Sequence, residues 1–253
     1  MVPTPGRQKG FSLVEVAVSM AIIALVLASG VFALTAQQDT RRFADTQSQL
    51  EQARELLLAY AAKEGRLPCP ATSAAGTGDE QPVGGGTCTT NFAGFLPGKT
   101  IGYQPVDANG YALDAWGFRI RYAVSALTWS TAGNFTTQHS SSNVAVKWAL
   151  NNTPADIKVC SNAVASATAC DANSDLAASN VVVAVVYSLG KNGGIAGGSG
   201  INEQRNQDGN GLFVSRVPDP TGTANAGGEF DDQVVWIPAT LLYARMLASG
   251  VLP

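Results

Sequence analysis

The sequence predicts an α+β protein in which one long amino-terminal helix packs on a loop-rich antiparallel β-sheet domain. Three observations predict it. Residues 16–36 carry no charge. From there to Glu64 apolar residues recur at helical steps, and no proline stands between Pro5 and Pro68. Beyond Gly65, short β-branched runs alternate with loops, and the 27 glycines gather mainly after Ala75 and again at 190–228.

The helix is predicted over 12–64. Its first half is apolar all round and long enough to cross the ~30 Å hydrocarbon core of a bilayer. Arg7 and Lys9 precede it and no basic residue follows until Arg41, a bias that holds the amino end in the cytoplasm and places the body outside. The run is too long for the short apolar core of a signal peptide, and no Ala-x-Ala site ends it. In the second half Phe43, Leu50, Ala53, Leu57 and Tyr60 form one apolar stripe, while Asp39, Arg41, Asp45, Glu51 and Arg54 fill the other faces. Gly65 and Pro68 supply the stop. At 1.5 Å per residue such a helix is roughly 80 Å long.

The remainder, 66–253, reads as one exported domain. Residues 117–124 alternate apolar and polar side chains, as a half-buried strand does. Residues 144–150 and 181–187 predict two further strands, the latter buried, and 233–237 a shorter one. Pro238 then opens a terminal helix at 239–248, in the first-turn position that tolerates proline. The Leu50 and Leu57 stripe is expected to form one wall of the core. Cys69, Cys88, Cys160 and Cys170 make an even set in an exported chain, which favours two disulfides. Proximity in sequence suggests Cys69–Cys88 and Cys160–Cys170, with four buried thiols as the alternative. No Cys-x-x-Cys pair marks a zinc site.

Several signals point away from catalysis and nucleic acid. Net charge is −3, so no basic footprint covers the chain. Pro97-Gly98-Lys99-Thr100 lacks the spaced glycine of a phosphate loop, because Ala93 stands in its place. Residues 190–200 are glycine-dense but lack the strand–helix frame of a dinucleotide site. His139, the one histidine, sits in a polar stretch that reads as an exposed loop, so no serine has a base. Trp116, Trp129, Trp148 and Trp236 read as core or interface residues. Asn206-x-Asp208-x-Asn210-Gly211 begins like a calcium-binding loop, but Val217 replaces the closing acid and the run reads as Asx turns. No enzyme is expected.

Glu15 stands at the threshold of the apolar run, where an unpaired acid costs several kcal/mol and usually marks function. Gly10-Phe11-Ser12-Leu13-Val14-Glu15, after a short basic leader and before an apolar helix, resembles the cleavage and methylation motif of type IV prepilins and type II secretion pseudopilins. The resemblance covers about the first 36 residues, and the helix architecture extends it to Glu64. It implies a leader at 1–10, a membrane and polymerisation helix at 11–36, an amphipathic continuation at 37–65 and a pilin-like domain at 66–253. It further implies cutting between Gly10 and Phe11 by a prepilin peptidase, N-methylation of Phe11, and pairing of Glu15 with the Phe11 amine of a neighbouring subunit. The partners it implies are other pilin or pseudopilin subunits and an inner-membrane assembly platform. The chain departs from many pilins in having Val31 and Phe32 where they carry a mid-membrane proline.

The exported domain also resembles the pseudopilins at two places. Asp114-Ala115-Trp116-Gly117, followed by Tyr122, is similar to their Asp-Pro-Trp-Gly segment, with Ala115 replacing the proline. Residues 187–193 and then Asp231-Asp232-Gln233-Val234-Val235-Trp236 are similar to their late loop and closing strand. In the major pseudopilin that loop binds calcium, which makes Asp231 and Asp232 candidate ligands and Ca²⁺ the candidate cofactor. The function implied is a structural one: a minor pilin or pseudopilin, displayed first in the bacterial inner membrane and then in a filament. The alternative is a filament-displayed binding module that uses its glycine-rich loops as an adhesin, for DNA uptake or for exoprotein contact.

Overall fold

The computed structural model describes residues 10, 12–127, 134–137, 156–177 and 181–251, with the backbone alone for 27–35. Phe11, Trp129, His139, Trp148 and the predicted strand at 144–150 lie outside the described residues. The chain divides into two compact units, Met1–Phe43 and Ala44–Pro253.

In the first unit the helix α1 (Leu13–Glu64) begins directly after Ser12. Every large apolar side chain from Leu13 to Val26 is exposed, Leu13 by 86% and Leu25 by 73%. Among the described residues no helix is long and apolar enough to cross a membrane. The uncharged run that predicts a span includes 27–35, whose side chains fall outside that description.

The second unit contains the rest of α1, which ends where Gly65 adopts φ +71° and donates its N–H to Ala61 O. The elements that follow are β1 (Gly94–Phe95), α2 (Gly98–Ile101), β2 (Arg121–Val124), β3 (Lys158–Cys160), β4 (Asp175–Ala177), β5 (Val182–Ser188), α3 (Ile201–Gln207), β6 (Leu212–Val214), β7 (Gln233–Pro238) and α4 (Ala239–Ala248). The main sheet has the order β1-β2-β5-β7 and is antiparallel throughout. Its period-two alternation divides the core in two. Tyr122, Val124, Val186, Val235 and Ile237 join Leu50, Ala53, Leu57 and Ala61 of α1, with Leu242 and Met246 of α4. The opposite face carries Ala123, Val185, Tyr187 and Val234. Both faces of β5 are therefore covered, which is why its sequence is continuously apolar.

The second face is covered by something the sequence did not suggest. A three-stranded sheet, β4-β3-β6, pairs β3 with β4 antiparallel and with β6 parallel. Val159 and Phe213 reach the main sheet from it, and the Tyr187 and Phe213 rings lie 5.1 Å apart. The expected single antiparallel sheet is thus a main sheet with a small mixed one behind it. The strand predicted at 117–124 starts only at Arg121. Before it, Asp114 Oδ1 accepts the N–H groups of Trp116 and Phe118 at 3.0 and 2.9 Å, folding 115–117 into a turn.

Covalent and ionic ties fasten the loops. Cys69 is bonded to Cys88, and Cys160 to Cys170. Beside the first bond, Arg66 makes two 2.7 Å hydrogen bonds to the Glu80 carboxylate, which also accepts the N–H groups of Cys69 and Gly84 and the Tyr60 hydroxyl. Both partners are buried, so the pair holds the α1 exit against the 80–88 loop with its charges fully compensated.

Candidate processing motif and carboxylate cluster

Ser12 and Glu15 form a reciprocal cap at the start of α1. Ser12 donates its backbone N–H to Glu15 Oε2 at 2.9 Å, and Glu15 donates its own N–H to Ser12 Oγ at 3.2 Å. This is the Ser-x-x-Glu capping box, which satisfies two of the unpaired amides at a helix start. The acid also sits where the helix dipole favours negative charge. Gly10, two residues earlier, is exposed, and a Cβ built on it would meet nothing within 4 Å. Among the described residues, nothing around it requires glycine there.

Far along the chain, three carboxylates converge. Asp231 and Asp232 lead into β7, and Glu203 stands at the third position of α3. One oxygen of each lies within 4.8 Å of the others. Asp231 Oδ2 accepts the N–H groups of Lys191 and Asn192 at 3.0 and 3.3 Å. Asp232 Oδ2 accepts Asn206 Nδ2 at 2.7 Å. Glu203 accepts the N–H of Asp231 at 3.0 Å, that of Ser199 at 2.6 Å, and both carboxylate oxygens receive Asn192 Nδ2 at 3.0 Å. Gly190 makes the approach of this loop achievable. It adopts φ +63°, and a Cβ there would stand 2.2 Å from Asp231 Oδ1.

The cluster is incompletely satisfied. Asp231 Oδ1, Asp232 Oδ1 and Asn192 Oδ1 are buried with no hydrogen-bond partner. Glu203 is fully buried and Asp232 is 2% exposed. Burial, followed by the charge of Glu203, pushes the Asp231 carboxyl up to about 7. Burial also pushes Asp232 well above the usual carboxylate range, against the opposing hydrogen bond from Asn206. Leaving buried acceptors unpaired costs about 1–3 kcal/mol each, so a centre of positive charge among these oxygens would relieve the arrangement. The donor set is all oxygen, which suits a hard cation such as Ca²⁺ and disfavours zinc or copper.

Residues 5–31 match the family model described as the prokaryotic N-terminal methylation motif. The chain carries the prepilin-type processing signal. That signal belongs to type IV pilins and pseudopilins, and it is the likeness drawn from Gly10, Phe11 and Glu15 in the sequence. No curated protein and no solved structure matches the chain.

Beside the prepilin-type motif, the structure brings Asp231 and Asp232 together and adds Glu203, which the sequence reading missed. Its only local signal was a lone acid at the start of a short polar helix, and its partner lies 28 residues away. The Asn206–Asn210 run divides. Asn206 points inward to Asp232 and Val214, whereas Asp208 Oδ1 accepts the N–H of Asn210 as an Asx turn. Lys99 pairs with Asp79 at 2.8 Å on the short α2, in a turn rather than a phosphate loop. Asp114 and Ser188 have a positioning part. Asp114 Oδ2 accepts the Ser188 hydroxyl at 2.6 Å and Ser188 Oγ accepts the N–H of Gly190, so the Asp-Ala-Trp-Gly turn braces the loop beside the carboxylates.

Proposed function

We propose that the protein is a structural subunit, a minor pilin or pseudopilin, processed by a prepilin peptidase and polymerised into a type IV pilus-like or type II secretion filament. The observation that carries the reading is the prepilin-type motif leading directly into an exposed apolar helix. Exposed apolar surface on this scale requires an apolar environment, supplied by lipid before assembly and by the helices of other subunits afterwards. The open position of Gly10 supports the same reading. An open, exposed Gly10 suits a peptidase that grips extended backbone at this point.

In this reading the cut falls between Gly10 and Phe11, and the Phe11 amine is methylated. Glu15 then meets the Phe11 amine of a neighbouring subunit, two charges that are costly to bury singly and tolerable as a pair. The amino end lies in the cytoplasm and the 66–253 domain beyond the bacterial inner membrane, where disulfides form. The subunit catalyses nothing itself. Its partners are the peptidase, the assembly platform and further subunits. Sheared filaments from cells expressing Glu15→Ala, blotted against whole-cell protein, test this. Processed but unincorporated protein is expected, and normal incorporation would overturn the pairing.

We infer also that the carboxylate cluster holds Ca²⁺. Asp231, Asp232 and Glu203 supply the charge, and the unpartnered Oδ1 atoms of Asp231 and Asp232 are the open ligand positions. The ion would compensate the buried negative charge and fasten the 190–199 loop and α3 to the start of β7. Calorimetric titration with Ca²⁺ of the wild-type chain and of Asp231→Ala tests it: saturable binding lost in the variant is expected, and no binding to the wild type would overturn it.

A further inference from the structure

A cavity of about 580 Å³ opens beside the glycine-rich loop, within the ~300–1,000 Å³ range of ligand sites. Its lining includes Arg121, Gly194, Ala196, Gln204, Gln207 and Asp208. Arg121 lies on β2, where its guanidinium carbon sits over the Phe95 ring, 4.4 Å from the centroid, and has no carboxylate partner among the described residues. The N–H groups of Gly194 and Ala196 find no acceptor among the described residues, whereas Gly193, Ile195, Gly197 and Gly198 all donate within the fold. Gln204 is exposed on α3 with its amide unengaged among the described residues. The cavity thus gathers a cation and several neutral donors. Asp208 is the one acid in its lining, already occupied by Asn210 and 3.9 Å from Arg205.

We propose that this cavity binds an acidic saccharide through its carboxylate. A guanidinium held over an aromatic ring keeps its forked N–H donors for a planar carboxylate. Gln204, Gln207, Asp208 and the bare loop backbone are partners for hydroxyl groups. Ile195, 49% exposed, is the one large apolar side chain in the lining, so a peptide finds no anchor pocket. The chain as a whole carries a charge of −3, so affinity for an acidic ligand must come from this local donor set. The proposal stands on the cavity alone and is independent of filament assembly.

The test is calorimetric titration of the full chain in detergent with trigalacturonate, alongside galactotriose, a triglutamate peptide and sodium sulfate. Saturable binding of trigalacturonate is expected, with the neutral sugar at least about tenfold weaker, as loss of a charge-assisted contact implies. Arg121→Gln should weaken it by a similar factor with melting unchanged. Gln204→Glu, on the exposed helix surface, should weaken it too and decides the matter should Arg121→Gln fail to fold. Absence of saturation, equal binding of sulfate or triglutamate, or affinity unchanged in folded variants would overturn the proposal.

Discussion

The Glu15 carboxylate accepts the backbone N–H of Ser12 at 2.9 Å, and Ser12 Oγ accepts the N–H of Glu15 at 3.2 Å. The acid at the threshold of the apolar run therefore has a task inside its own chain, and that task can be separated from the one proposed between chains. Ser12→Ala removes the hydroxyl half of the cap at a cost of about 1 kcal/mol. The variant should still be incorporated into filaments, whereas Glu15→Ala should be processed and left out. If both variants are lost from filaments alike, capping alone explains the acid.

Glu203 is the residue on which the cation reading is most exposed. Glu203→Gln keeps the shape of the side chain and removes its charge, and Ca²⁺ affinity should fall by about tenfold or more at a hard-cation site built on carboxylates. Calorimetry with the purified full chain reads this directly. Gly190→Ala should act in the same direction by driving a methyl into Asp231 Oδ1, and affinity at the wild-type level in both variants would remove the site.

The Arg66–Glu80 pair predicts a dependence on acid. Burial alone would raise the Glu80 carboxyl, but the Arg66 hydrogen bonds and the amides of Cys69 and Gly84 outweigh it and hold it below the usual range. A carboxyl depressed by folding contributes stability above its unfolded value near ~4.3, and that contribution is lost as pH falls through the folded value. Melting temperature should therefore drop on acidification below ~4.3. Glu80→Gln strands a buried guanidinium. At neutral pH it should lose roughly 3–5 kcal/mol and show a shallower acid slope.

Leu57 is fully buried where α1 meets the main sheet. Leu57→Ala should destabilise the second unit by about 2–5 kcal/mol in a denaturant titration, with the far-ultraviolet spectrum retained. An exposed α1 position such as Glu55, paired with Arg245 at the surface, should cost no more than ~1 kcal/mol when changed to alanine.

What could be read from the sequence depended on the length and period of each signal. α1, β5, β7 and α4 carry enough residues to display their repeat, and Gly65 and Pro238 mark their ends. The strands of the second sheet have three residues each, too few for alternation to stand out from loop, and α3 has one large apolar residue, Ile201. The same limit hid Glu203. A carboxylate cluster drawn from the start of one strand and the first turn of a remote helix exists only after β5 and β7 pair. The Ser12–Glu15 box, by contrast, is spelled out in four consecutive residues, and its acid has two possible partners, the amide of its own helix start and a charge outside the chain.

The most direct measurement is intact mass and amino-terminal sequencing of the protein extracted from its native membrane. Subunit processing predicts a chain that begins at Phe11 and bears a methyl group on that amine. A chain that still begins at Met1, unmethylated and with Gly10 joined to Phe11, would contradict it.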